Sequence, residues 1–200
     1  YDPYSSSKGC AELVTSSYRR SFLRDQGVGL ASVRAGNVIG GGDWANDRLI
    51  PDILRSFERN ESVVIRNPKS TRPWQHVLEP LSGYIVLAQE MYNNHKEYAE
   101  GWNFGPNEQD VKPVDWILDR MISKWPNSRW ELDKESNPHE AGFLKLDITK
   151  AESKLGWKPV WRLDYTLEKI INWHKAWINK ENMQAMCLAE IEEYTNDMKK

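Results

Sequence analysis

Two hydrophobic periods alternate along this chain. Over residues 3–23, Cys10, Leu13, Val14 and Phe22 fall on one broad stripe, as on an amphipathic helix, and Pro3 suits its first turn. Gly27 and Gly29 stop it. Residues 28–33 form a short continuous apolar run, the pattern of a buried strand, which runs into Arg34-Ala35-Gly36-Asn37. After the turn Gly40-Gly41-Gly42-Asp43 the pattern predicts a helix over 49–58, a strand over 62–65, a polar loop over 66–74, an apolar helix over 81–92 and a strand over 102–105. Beyond Pro106 it becomes mostly helical. Helices are predicted over 113–125, 149–155 (with Thr149 as N-cap), 163–180 and 183–198, with short strands over 130–132 and 143–146. Helices and strands alternating in this way predict an α/β fold, with right-handed crossovers between parallel strands. The last helix, rich in Glu, Asn and Lys, reads as peripheral.

Composition narrows the class. The 200 residues are 40% hydrophobic and 28% charged, which suits a folded core. A net charge of −2 argues against general nucleic-acid binding. No apolar run approaches the ~20 residues of a membrane helix, and without a basic–apolar–small pattern at its start no secretory leader is expected. Cys10 and Cys187, far apart in sequence, make no disulfide framework, so a reducing cytoplasm is the default compartment. Two features are unusual: the first residue is Tyr rather than Met, and there are 10 Trp.

The candidate chemistry begins with Tyr4-Ser5-Ser6-Ser7-Lys8. Residues four apart share a helix face. A phenol is a poor base near neutral pH, and a nearby ammonium favours the phenolate. The spacing selects nothing alone, because Tyr92/Lys96 and Tyr165/Lys169 share it. Context does select: Tyr4 opens a helix whose following strand ends in Arg34-Ala35-Gly36-Asn37-Val38-Ile39-Gly40, and strand C-termini are where open α/β sheets bind ligands.

With these residues the chain resembles the extended short-chain dehydrogenase/reductase family. Further blocks are similar to its CDP-glucose 4,6-dehydratase branch: Gly40-Gly41-Gly42-Asp43-Trp44-Ala45, Asp47-Arg48-Leu49-Ile50-Pro51-Asp52, Thr71-Arg72-Pro73-Trp74-Gln75-His76-Val77, Trp102-Asn103-Phe104-Gly105-Pro106, His139-Glu140-Ala141 and Leu155-Gly156-Trp157 with Pro159. The resemblance implies the C-terminal part of an NAD-binding Rossmann fold plus a smaller, mostly helical substrate-binding domain. Residues 1–40 would end the Rossmann domain. Residues 41–182 would mainly bind substrate, with 77–106 returning to the Rossmann domain and 183–200 peripheral. Cofactor and substrate would be NAD and CDP-glucose, with a homo-oligomer expected of the whole enzyme because the Tyr4 helix of relatives packs against its twin.

The resemblance also implies roles. Tyr4 would take the proton of the sugar 4-hydroxyl, and Lys8 would tune Tyr4 and bind the nicotinamide ribose. Ala35 would lie against the nicotinamide. Asn37 and Arg72 would bind the diphosphate, Arg72 through its two-pronged guanidinium. Arg48 and Leu49 would hold substrate from a loop, Val64 and Arg66 would flank the base, and Glu140 would accept from ribose hydroxyls. Asn137 stands where many relatives carry a phosphate-binding Arg, a departure for which Arg48 could compensate. The triple glycine is no dinucleotide fingerprint, since Gly-x-Gly-x-x-Gly does not occur. It reads either as a loop near substrate or as a plain turn.

The implied reaction is internal redox: hydride leaves C4, water is lost across C5 and C6, and hydride returns to C6, giving CDP-4-keto-6-deoxyglucose. Because neither the fingerprint nor the elimination residues are found here, the expectation is a C-terminal portion of a longer enzyme, inactive alone. Two alternatives stay open: an epimerase or decarboxylase acting on another nucleotide-sugar, and a non-catalytic sugar-nucleotide-binding or oligomerisation module.

Overall fold

The computed structural model describes residues 2–133 and 142–200. The chain divides into two units: residues 1–35, 80–104 and 147–158, and residues 36–79, 105–146 and 159–200. The segment 147–158, expected in the substrate-binding part, thus belongs with the first unit.

In the first unit, helix α1 (Pro3–Tyr18) starts at Asp2, whose Oδ1 accepts the Ser5 amide at 2.9 Å while Pro3 fills the first helical position. The predicted helix to residue 23 changes register at Arg19. It widens into a π-turn (Arg19–Leu23), tightens into a 3₁₀ turn (Arg24–Gln26) and stops at Gly27, whose φ of 72° suits glycine. Strand β1 (Ser32–Ala35) starts later than predicted, because the Val28 amide still donates to Leu23 O (3.2 Å).

The partner of β1 comes from further along the chain. We number β2 (Asn37–Ile39), α2 (Leu49–Glu58), β3 (Ser62–Ile65), β4 (Thr71–His76), α3 (Leu78–Tyr98) and β5 (Gly101–Phe104). Strand β1 pairs in parallel with β5, Ser32 opposite Gly101 and Ala35 opposite Phe104. Helix α3 is longer than predicted and is interrupted at Asn94 (φ −147°, ψ 73°). The core of this unit joins Leu87, Trp102, Phe104, Ala151 and Trp157. The Trp157 ring stands edge-on to Phe104, and its Nε1 donates to Ser82 Oγ at 2.9 Å.

In the second unit, β6 (Val111–Pro113), α4 (Val114–Lys124) and β7 (Arg129–Leu132) precede α5 (Thr149–Leu155) of the first unit, α6 (Leu163–Ile178) and α7 (Met183–Asp197). Thr149 is the first residue of α5 rather than its cap; its amide donates to Asp147 Oδ1 at 2.9 Å. Strand β4 lies between β2 (parallel) and β6 (antiparallel), and β3 pairs in parallel with β7. Residues 66–74, expected as polar loop, therefore contain the start of a central strand. The pattern concealed it because Gln75 and His76 are polar yet buried. At 143–146, a single bridge from Phe143 to Thr71 replaces the expected strand.

The core of this unit forms where the helical periods predicted it: Ile50, Ile53, Leu54 and Phe57 of α2, Ile117, Leu118 and Met121 of α4, and Leu163, Leu167, Ile170 and Ile171 of α6. Helix α7 is not peripheral. Tyr194 is buried and donates to Glu79 Oε2 at 2.7 Å, and Glu190 lies 3.3 Å from His76 Nε2. Among the described residues no helix is long and apolar enough to cross a membrane.

Candidate functional site

A cavity of about 280 Å³ in the second unit is walled by β3 and the loop that follows it. Strand alternation buries Val63 and Ile65 and leaves Val64 exposed. The loop beyond Arg66 is pinned by its own backbone. The Ser70 amide donates to Asn67 O (3.1 Å), while the Val114 and Asp115 amides at the start of α4 donate to Ser70 O (3.1 Å) and Pro68 O (2.9 Å). From β4, Arg72 and Trp74 complete the wall, with Trp74 Nε1 bound to Lys112 O at 2.9 Å. Asn37 enters from β2, directly opposite Trp74.

Of the sequence-predicted substrate residues, the structure brings Asn37, Leu49, Val64, Arg66 and Arg72 to this one cavity. Arg48 is not among its walls; its guanidinium lies 3.9 Å from Asp43 on the preceding loop. Glu140, and Asn137 with it, lie outside the described residues. Sequence reading missed Asp47, Asp52, Asn67 and Ser70. Asp47 has a left-handed backbone (φ 57°), a conformation Asp tolerates, and an Asn46-Asp47 pair in a turn was the available signal. Asp52 is ion-paired with Arg55, which also donates to the Trp44 and Ala45 carbonyls at 3.2 Å and ties that loop to α2. With Asp52 neutralised, the arginines Arg66 and Arg72 dominate the charge of the wall. Guanidiniums beside a half-apolar strand suit a ligand with a diphosphate and a flat ring.

Tyr4, Lys8 and Ala35 all belong to the first unit. Tyr4 is 72% exposed, and Lys8 Nζ lies 5.3 Å from its ring centroid, so the pair shares one helix face as the spacing requires. The intervening serines bind locally: Ser7 Oγ donates to Tyr4 O (2.7 Å) and Ser5 Oγ to Asp2 Oδ2 (2.6 Å). Ala35 ends β1, half-buried. The competing pairs behave differently. The Tyr165 hydroxyl and Lys169 both donate to Glu193, and burial, helped by that carboxylate, pushes the Tyr165 phenol up, the wrong direction for a base. Tyr92 is almost fully exposed.

A phenol and an ammonium on one exposed helix face could hydrogen-bond the ribose of a dinucleotide. The pyrophosphate end needs a glycine cradle that these 200 residues do not contain. Among the described residues no group of three His, Cys, Asp or Glu could hold a metal ion.

The chain is 60% identical, over 97% of its length, to the CDP-glucose 4,6-dehydratase of Salmonella typhimurium, of which it covers 56%. It is 25% identical to a probable dTDP-glucose 4,6-dehydratase of Sinorhizobium fredii, covering 86% of this chain and 48% of that protein. The chain thus spans about half the length of the curated relatives it matches. Among solved structures, the NAD complex of dTDP-glucose 4,6-dehydratase from Bacillus anthracis superposes with a TM-score of 0.70 at 18% identity, over 88% of this chain and 52% of that one. UDP-glucose-4-epimerase from Stenotrophomonas maltophila, with bound NAD, superposes at 0.74 and 15% identity, over 90% and 56%. At these identities the superpositions establish the fold alone, the one these solved structures share. The model of the GDP-mannose 4,6 dehydratase family matches residues 1–170, and the chain belongs to that family.

Proposed function

We propose that this chain is the base-bearing and substrate-binding part of a nucleotide-sugar 4,6-dehydratase that converts CDP-glucose to CDP-4-keto-6-deoxyglucose. The observation that carries this reading is the 60% identity, over nearly the whole chain, to an enzyme of that name. NAD, whose nicotinamide ribose Tyr4, Lys8 and Ala35 would hold, would supply a reversible hydride acceptor, so that no net oxidation results. Tyr4 takes the proton from the 4-hydroxyl, with the Lys8 ammonium beside its ring on the same helix face. Arg66 and Arg72, with the uncharged amide of Asn37, hold the diphosphate, while Leu49 and Val64 offer apolar surface to the base and ribose. The C5 proton and C6 hydroxyl depart as water through groups not assigned to this chain. Two free, exposed cysteines suit a reducing cytoplasm. Exposed Leu13, Val14 and Tyr18 on α1, with Phe22 on the π-turn that follows, suit a homo-oligomer.

The test is product identity. The whole enzyme that carries this chain should dehydrate CDP-glucose, seen as loss of water by mass spectrometry. Tyr4→Phe should lower turnover by about 10²–10⁴-fold and leave CDP-glucose binding intact. An epimerised product without water loss would favour the epimerase reading, which the likeness to epimerase folds keeps in view. An unchanged Tyr4→Phe protein would favour a binding module.

A further inference from the structure

A second cavity, of about 240 Å³, lies within the first unit, lined by Arg19, Arg20, Arg24, His95 and Lys96 together with Val28 and Ala99. At ~1.5 Å of rise per residue, the length of α1 separates Arg19 from Tyr4 by about 22 Å, so this cavity is remote from the candidate base.

Its lining contains no acidic residue. Among the described residues none of its four permanent cations is ion-paired. Arg19 uses Nε on Leu30 O (2.6 Å) and Arg20 uses Nε on Ser16 O (3.4 Å), which leaves the terminal nitrogens of both guanidiniums unused. The side chains of Arg24 and Lys96 have no hydrogen-bond partner among the described residues. Nε2 of His95 is buried, again without a partner there. A buried polar nitrogen left unpaired is costly, and a ligand in the cavity would relieve it.

The backbone is irregular on both sides of the cavity. Arg19 and Arg20 sit on the π-turn and Arg24 on the 3₁₀ turn, while His95 and Lys96 follow the interruption of α3 at Asn94. Cations near helix C-termini are favoured by the helix dipole. That accounts for basic residues at each helix end. It does not account for two such ends converging on one cavity around a partnerless imidazole.

We propose that this cavity is a binding site for a small phosphoryl anion, distinct from the nucleotide-sugar cavity. Guanidiniums and an imidazole match phosphate oxygens. A bound anion clasps the end of α1 to the end of α3 and stabilises the unit by mass action. This inference does not rest on the proposed dehydratase activity.

Imidazole ¹H–¹⁵N NMR tests it in the full 200-residue chain, titrated with inorganic phosphate, pyrophosphate or phenyl phosphate at ionic strength held constant with chloride. His95 is assigned by His95→Gln. The expected result is a saturable shift of the His95 resonance and a higher Tm. Phosphate acting as well as phenyl phosphate would mark a free-anion site; a preference for phenyl phosphate would mark a phosphoester site. Both agree with the proposal. In the double variant Arg24→Gln/Lys96→Gln, at two exposed positions, affinity should fall at least tenfold, with circular dichroism unchanged. Arg66→Gln/Arg72→Gln, in the other cavity, should leave the His95 response in place. Three results would overturn the proposal: an equal response to chloride alone, a His95 shift undiminished in Arg24→Gln/Lys96→Gln, or its loss in Arg66→Gln/Arg72→Gln.

Discussion

Glu79 is a carboxylate with no solvent exposure, accepting from the Trp161 amide (2.6 Å), the Val160 amide (3.0 Å) and the Tyr194 hydroxyl (2.7 Å). Burial pushes its pKa above the ordinary 4.5, outweighing those donors. The folded chain therefore holds this proton more tightly than the unfolded chain does. The stability it links to pH is present below about 4.5 and declines as pH rises towards the folded value. Urea midpoints measured against pH should show this decline in the wild type and a flatter profile in Glu79→Gln. Glu79→Ala should cost about 3 kcal/mol, since it strands three buried donors. At the candidate site, Arg72→Ala should weaken CDP-glucose binding by roughly 10–100-fold in calorimetry, the scale of a lost charged hydrogen bond. Arg72, a candidate from the sequence, does line the cavity of the second unit. Glu79 could not be read in advance, because one Glu in a helical stretch looks like any solvated one until the donors around it are known. Asp52 was hidden likewise, its charge spent on Arg55.

Among the elements, α2 was legible to the residue, because its apolar positions keep one helical face and Pro51 marks its first turn. Strand β4 was not, because two of its buried residues, Gln75 and His76, are polar. The glycines before α2 read either as a loop near substrate or as a plain turn; the structure sets Gly41 against Trp173 of α6. A Cβ on Gly41 would come within 2.3 Å of that indole. Gly41→Ala should therefore destabilise by about 1–3 kcal/mol, and Trp173→Leu should recover part of the loss in a double-mutant cycle read by denaturation. Trp173 and Trp177, four apart on α6, share one helical face. Trp173 is buried, but Trp177 is 41% exposed and lies 4.5 Å, centroid to centroid, from Trp44. Helical spacing gives a shared face, and only the neighbouring elements decide how deep that face lies.

For the molecule as a whole, the alternation of helix and strand was enough to give α/β, while the division into units was not, because segments distant in sequence join each of them. The lack of a glycine fingerprint carries a whole-molecule prediction: the 200 residues alone should retain no NAD through gel filtration, and a stoichiometric dinucleotide absorbance in the protein peak would contradict it. The strand pairing has a kinetic consequence. Ser32 meets Gly101, Ser62 meets Arg129 and Asn37 meets Trp74, separations of roughly 70, 70 and 40 residues, so long loops must close before these pairs are rewarded. No parallel pair here can nucleate from a tight hairpin. The chain should fold slowly, with its helices formed well before its strands dock. Until they dock, unpaired strand edges are open to other chains, so the yield of refolded protein should fall as protein concentration rises.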